Sequence, residues 1–217
     1  MTTFLPHNKV QLALHALRDG SDAGDKPLLL LHGLGERSPR EPPRSTTHWP
    51  GPVFALDFTG HGESTVPPGG GYTCESLMSD VDVALGELGP ATVLGRGLGA
   101  YVALLIAGAR PELVQGCILA DGPGLAGGGS TPNAPYVIPP VVTPYGAPDP
   151  LAVAELTRDV RPPDYAVNFA HLATQFSGLA IPITVTSVRP PPWLAVVADQ
   201  PGVQSLSLEE AVGFYAR

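Results

Sequence analysis

One run of the sequence constrains the fold more than any other. It reads Ala91-Thr92-Val93-Leu94-Gly95-Arg96-Gly97-Leu98-Gly99-Ala100 and continues as the apolar residues 101–107. A β-branched, apolar segment breaks at three alternate glycines and resumes at helical length, which predicts a strand, a very tight turn and a helix. Turns of this kind normally present a reactive side chain. In the nucleophile-elbow pattern G-x-S-x-G, a serine is held in a strained conformation so that its hydroxyl stands clear of a parallel sheet. Gly97 stands in the serine's place.

The segments on either side repeat the strand-then-punctuation theme. Residues 10–17 alternate apolar and polar, as an outer strand with one wet face should, which sets His15 on the solvent side. Leu28–Leu31 is a continuous apolar run typical of a strand covered on both faces, and His32-Gly33-Leu34-Gly35 follows it. Residues 36–52 are proline-rich and charged, a loop with one short helical turn near His48 and Trp49. Residues 53–57 form another buried strand, ended by Phe58-Thr59-Gly60-His61-Gly62-Glu63-Ser64. Apolar positions 77, 81, 84, 85 and 88 draw one face of a helix that Gly89-Pro90 stops.

After the glycine turn and its helix, residues 114–120 read as a buried strand closed by Asp121-Gly122-Pro123-Gly124. From 124 to 150 the chain is rich in glycine and proline, an irregular excursion. Helices are expected at 151–158 and 164–175, a strand at 183–188, a helix at 193–199, an edge strand at 203–208 and a closing helix from 209. Strands alternating with helices imply an α/β fold with a mostly parallel, doubly wound sheet, whose sites lie beyond the strands' carboxyl ends.

Composition narrows the function classes. With 217 residues, one domain spanning the whole chain is the simplest reading, with a short roof insertion at about 124–180. A net charge of −8 without a basic cluster argues against a nucleic-acid partner. No apolar stretch is long enough for a membrane span, and the start lacks a leader pattern, so a soluble, cytoplasmic protein is expected. Cys74 and Cys117 fall in a helix and a buried strand, where inert core thiols are expected and a disulfide is not. No His/Cys/Asp cluster at ligand spacing points to a metal, and no cofactor is expected.

The identity, order and spacing of His32-Gly33-Leu34-Gly35, Asp57-x-x-Gly60-His61-Gly62-x-Ser64 and Gly95-x-Gly97-x-Gly99 resemble the α/β-hydrolase superfamily, particularly small bacterial esterase and lactonase-like members. The resemblance is strong from about residue 10 to 123 and weaker from 180 onward. It implies an oxyanion hole at the backbone amides of Leu34 and Leu98, structural loop roles for His32 and His61, and turn-forming roles for Asp57 and Ser64.

Departures from that pattern concern the chemistry. Serine hydrolysis needs an oxygen nucleophile, an imidazole to accept its proton and a carboxylate to orient the imidazole. Gly97 removes the nucleophile, no histidine occurs after His171, and Arg189-Pro190-Pro191-Pro192 stands where the acid is expected. The remaining acid and base candidates are Asp121, at the end of the strand after the elbow, and His171, in an apolar helix where a structural role fits better.

The expected role is therefore non-catalytic. A pocket lined by Gly33, Leu34, Arg96, Gly97 and Leu98 would take a small apolar or carbonyl-bearing ligand, or the fold would meet a partner protein. The alternatives are a weak esterase or lyase-like enzyme using the oxyanion amides with Asp121 or His171. A minor alternative is dinucleotide binding at Gly95-x-Gly97-x-x-Ala100, with Asp121 ending the next strand.

Overall fold

The computed structural model of the chain describes residues 1–20, 26–128 and 147–217. Eight strands form one sheet: β1 (Thr2–His7), β2 (Val10–Arg18), β3 (Leu28–Leu31), β4 (Val53–Leu56), β5 (Ala91–Arg96), β6 (Val114–Ala120), β7 (Ile183–Val185) and β8 (Val203–Ser205). Their order across the sheet is β1-β2-β4-β3-β5-β6-β7-β8. β2 pairs antiparallel with β1 and β4, and every pair from β4 to β8 is parallel. The described residues hold six α-helices, α1 (Cys74–Leu88), α2 (Leu98–Ala109), α3 (Pro150–Arg158), α4 (Pro163–Phe176), α5 (Pro192–Ala198) and α6 (Leu208–Tyr215). Among the described residues no helix is long and apolar enough to cross a membrane.

Sequence periodicity explains where each helix lies. α2 is apolar all round, and every residue from Leu98 to Gly108 is buried between the sheet and α1 and α4. α1 turns Leu77, Val81, Ala84 and Leu85 inward. Thr73 starts it through a reciprocal capping box with Ser76, and Gly89 ends it. The opposite sheet face carries a smaller core of Leu28, Val53, Ile118, Val212 and Tyr215, with Trp49 among them.

Four readings change. The first strand, β1, gives no alternating signal, because only Leu5 of its residues is buried. β7 is shorter than expected, since Ser187 and Val188 turn away to bond Asp121. β8 is also shorter, because Ser207 caps α6 by accepting from the Glu210 amide, which makes Leu208 helical. α4 packs against α2 and α5, so of the two helices expected over the strand ends only α3 lies near them, bonded to residues 71–74. The proline-rich part of the expected roof at 129–146 lies outside the described residues.

The β3–β4 crossover departs from parallel-sheet habit. A connection between adjacent parallel strands is usually an α-helix lying on one sheet face. Residues 32–52 contain only a three-residue 3-10 helix, Arg44–Thr46, slightly earlier than the turn expected at His48. Arg18 at the end of β2 secures this loop. Its guanidinium donates to the carbonyls of Thr46 at 3.3 Å, Thr47 at 3.4 Å and Gly51 at 3.3 Å, and also to that of Trp49.

Asp57, just beyond β4, ties three segments together. Its carboxylate accepts from the Ser38 amide (2.6 Å), the Glu63 amide (2.8 Å) and His15 Nε2 (2.9 Å). His15 is thus largely buried against Asp57 and not on a wet face as its strand phase predicts, since β1 and the turn after Asp57 enclose that side. Burial alone would raise the Asp57 pKa, but the amides of Glu63 and Ser38, with His15, outweigh it and hold the carboxyl below its ordinary range. Ser64 is buried in the same turn, donating to the Asp57 carbonyl and accepting from the Ala13 amide at 2.8 Å, so its hydroxyl is engaged structurally. Asp57→Ala strands the buried Ser38 amide and the half-buried Glu63 amide and is expected to cost about 3 kcal/mol. A thermal melt should show a fall of roughly 6–12 °C.

Candidate functional site

The carboxyl ends of β3, β5 and β6 meet at the elbow. Gly97 sits at φ 61, ψ −120, directly before α2, so the sharp strand-to-helix turn is present. A β-carbon on Gly95 would lie 2.7 Å from the Ala100 α-carbon, and one on Gly99 would lie 2.6 Å from the carbonyl oxygens of both Leu31 and His32. Only glycine allows these backbones to approach so closely.

The space above the elbow is filled by the chain itself. The Leu34 amide donates to the Pro123 carbonyl at 3.0 Å, and the Leu98 amide donates to the same oxygen at 2.9 Å. These are the two amides to which the sequence resemblance assigns an oxyanion hole. A β-carbon on Gly97 would run into that oxygen and lie 2.7 Å from the Gly122 carbonyl carbon. The 121–124 turn therefore occupies both the direction a side chain at position 97 would take and the space between the two amides to which the resemblance assigns an oxyanion.

This turn is anchored from the helix side. Buried Arg161, stacked over Tyr101 with its guanidinium carbon 5.0 Å from the ring centroid, donates through Nη1 to the carbonyls of Gly124 and of Leu125, the latter at 2.6 Å. Trp193 Nε1 also donates to the Leu125 carbonyl, at 2.8 Å, and the Gly128 amide donates to Asp159 at 2.8 Å.

His32 and His61 are held as scaffold groups. His32 Nε2 accepts from the Phe58 amide at 3.2 Å, which leaves the proton on Nδ1 to donate to the Gly33 carbonyl at 2.8 Å. His61 repeats the arrangement, accepting from the Gly35 amide at 3.4 Å and donating to the Thr59 carbonyl at 3.2 Å. Burial lowers both pKa values. That of His61 falls to about 3, with the neighbouring His32 adding to the effect. Neither ring has a free nitrogen to take a proton from a nucleophile.

The residues singled out in the sequence do not line one pocket. Gly33, Gly97 and Leu98 lie beneath the Pro123 turn. Leu34 lines a cavity of about 420 Å³ with Gly122, Leu125, Thr157 and Arg189. Arg96, ion-paired with Glu36, lines a separate cleft of about 780 Å³. Asp121 accepts from the Ser187 hydroxyl and, at 3.1 Å, from the Val188 amide. His171 is exposed on α4 and bonded to Gln200 at 2.9 Å, away from the lining of both cavities, whereas its apolar sequence neighbours suggest burial. β8 passes into α6 through Leu206 and Ser207 alone, so the connection that would carry a catalytic histidine is two residues long.

The first-turn amides of α2 are engaged as well. Leu98 donates to Pro123, Gly99 to His32 at 3.1 Å and Ala100 to Gly97 at 3.1 Å. No amide there is left for a pyrophosphate, which weighs against the dinucleotide alternative. The large cleft is the feature that the motifs did not reveal. Its sequence signal is the absence of a helical period across 36–52.

The sheet order, the elbow and the glycine contacts define a parallel α/β protein of the hydrolase type. The chain belongs to the alpha/beta hydrolase family, whose model matches residues 28–213. It is 31% identical over 136 residues to a probable alcohol acetyltransferase of Wickerhamomyces anomalus, a match taking in 56% of this chain and 39% of that protein. The chain thus spans about two fifths of that relative's length. The fold is similar to the thioesterase domain from the curacin biosynthetic pathway, with TM-score 0.64 at 15% identity, covering 100% of this chain and 96% of that one. It is equally similar to a monoacylglycerol lipase of Paleococcus ferrophilus, with TM-score 0.63 at 17% identity, covering 94% of this chain and 98% of that one.

Two expectations follow. Gly97→Ser adds a side chain at positive φ and pushes the Pro123 turn off two amides, at a combined cost of about 3 kcal/mol. The melting temperature should fall by roughly 6–12 °C. The second concerns pH. His61 stays neutral in the folded chain down to about pH 3, whereas the unfolded chain binds a proton below its ordinary pKa of 6.5. Its contribution to stability should therefore decline as pH falls from 6.5 towards 3, by up to about 1.4 kcal/mol per pH unit. The difference between the parent and His61→Asn in denaturant melts across that range isolates it from Asp80, whose raised pKa of about 7 acts in the opposite sense.

Proposed function

We propose that this chain is a non-catalytic member of the alpha/beta hydrolase family that binds a small ligand with an apolar body. One observation carries the reading. The Pro123 carbonyl accepts from both Leu34 and Leu98, at 3.0 and 2.9 Å, so the position that would stabilise a developing oxyanion is taken by the chain's own backbone. Gly97 supplies no oxygen or sulfur to attack a carbonyl, and an acyl transfer through an acylated side chain fails for the same reason. His32 and His61 are buried and doubly bonded, and Asp121 is engaged by Ser187 and Val188. The reading is thus supported at all three roles that ester hydrolysis requires. The free, buried thiols of Cys74 and Cys117 fit a reducing, cytoplasmic setting.

The test is hydrolysis of short- and medium-chain p-nitrophenyl esters by the purified parent, Asp121→Asn and His171→Ala. The expected result is the same background release in all three. Turnover by the parent that either substitution removes would overturn the non-catalytic reading.

A further inference from the structure

The cleft of about 780 Å³ lies on the sheet face opposite α2, between the β3–β4 crossover and the start of α6. Its origin is the missing crossover helix. Lower on the same face, Leu28, Val53 and Ile118 are fully sealed at 0% exposure. Towards the strands' carboxyl ends Leu30, Leu94 and Ala120 retain 6, 8 and 6%, and they form the floor of the cleft. Pro39 and Pro43 form one wall and Leu208 the other.

Size separates the two kinds of occupant. A helix about 10 Å across would fill this space in about 10 Å of length, which is less than two turns. Small-molecule sites run from roughly 300 to 1,000 Å³ and combine an apolar lining with a few convergent polar groups. This cleft fits the second description.

The polar groups at its mouth are unevenly engaged. Both oxygens of Glu36 accept from Arg96, and one also accepts from the Gly33 amide at 3.0 Å. Both oxygens of Asp121 accept from residues 187 and 188. The acids are therefore satisfied within the fold. Arg96 donates only through Nη1, and the exposed guanidinium of Arg37 donates to nothing among the described residues. With Arg96 already paired to Glu36, what the mouth has to offer is the guanidinium of Arg37 and the remaining N–H groups of Arg96. Guanidinium groups pair with carboxylates through parallel N–H···O bonds.

Building on the ligand-binding reading above, we infer that this cleft, and not the space over the elbow, takes an amphipathic carboxylate. Its apolar chain lies on Leu30, Leu94 and Ala120, and its carboxylate meets Arg37 and Arg96. The site does not use Gly97 or the Pro123 carbonyl, although Asp121 at the start of that turn borders it.

The experiment is titration calorimetry with decanoate below its micelle concentration, beside decanol and decyltrimethylammonium. It uses the parent, the exposed double variant Arg37→Gln/Arg96→Gln, and Ala120→Phe, which fills the floor. The expected result is saturable decanoate binding by the parent, weakened at least tenfold in the double variant and lost in Ala120→Phe. Decanol should bind more weakly than decanoate, and equally to the parent and the double variant. Absence of saturable decanoate binding overturns the inference, as does an affinity unchanged in the double variant or equal binding of the cationic probe. Should Ala120→Phe fail to fold, the double variant alone decides. Ester turnover on the same preparations reports separately on the non-catalytic reading.

Discussion

Three strand ends meet at the elbow backbone to backbone, with no side chain between them. Gly95 and Gly99 permit this contact, and Gly99 rests against the Leu31 and His32 carbonyls at the end of β3. Everything at the carboxyl edge of the sheet takes its position from that contact. It sets the start of α2, the amides of Leu34 and Leu98, and the seat into which the Pro123 carbonyl fits. A hydrolase elbow uses the same close packing to hold a serine clear of the sheet. Here the packing persists, and the amides of Leu34 and Leu98 hold a peptide carbonyl between them.

Much of this architecture was legible in the sequence because the periodic signals are strong. The continuous apolar strands β3, β4, β5 and β6 and the fully buried α2 announce a parallel sheet with covered faces, and each strand end is marked by glycine, histidine or aspartate. The first strand and the bounds of the last two were less legible for a physical reason. β1 buries one side chain, and β7 and β8 stop after three residues where tertiary hydrogen bonds and a helix cap take over, which leaves no local pattern.

The site divided in the same way. The glycine at the centre of the elbow and the scaffold character of His32 and His61 follow from residue identity and spacing. The Pro123 turn does not, because a backbone carbonyl has no sequence signature, and its docking depends on Arg161, between α3 and α4, and on Trp193 of α5, both distant in the chain. His15 misleads for a related reason: alternation gives the phase of a strand but not what folds over its outer side. The open cleft is legible only as an absence, the helical period missing between β3 and β4.

That missing helix also bears on the order in which the molecule assembles. A crossover helix carries its own hydrogen bonds and can begin to form before the sheet does. Residues 32–52 have no such ladder and are held mostly by distant groups: Arg18 of β2 on the carbonyls of Thr46, Thr47 and Gly51, Asp57 on the Ser38 amide, and Pro123 on the Leu34 amide. The anchoring of the loop thus depends on long-range contacts, which loop-closure entropy opposes. A wall built of such contacts is expected to order after the strands that form the floor beneath it.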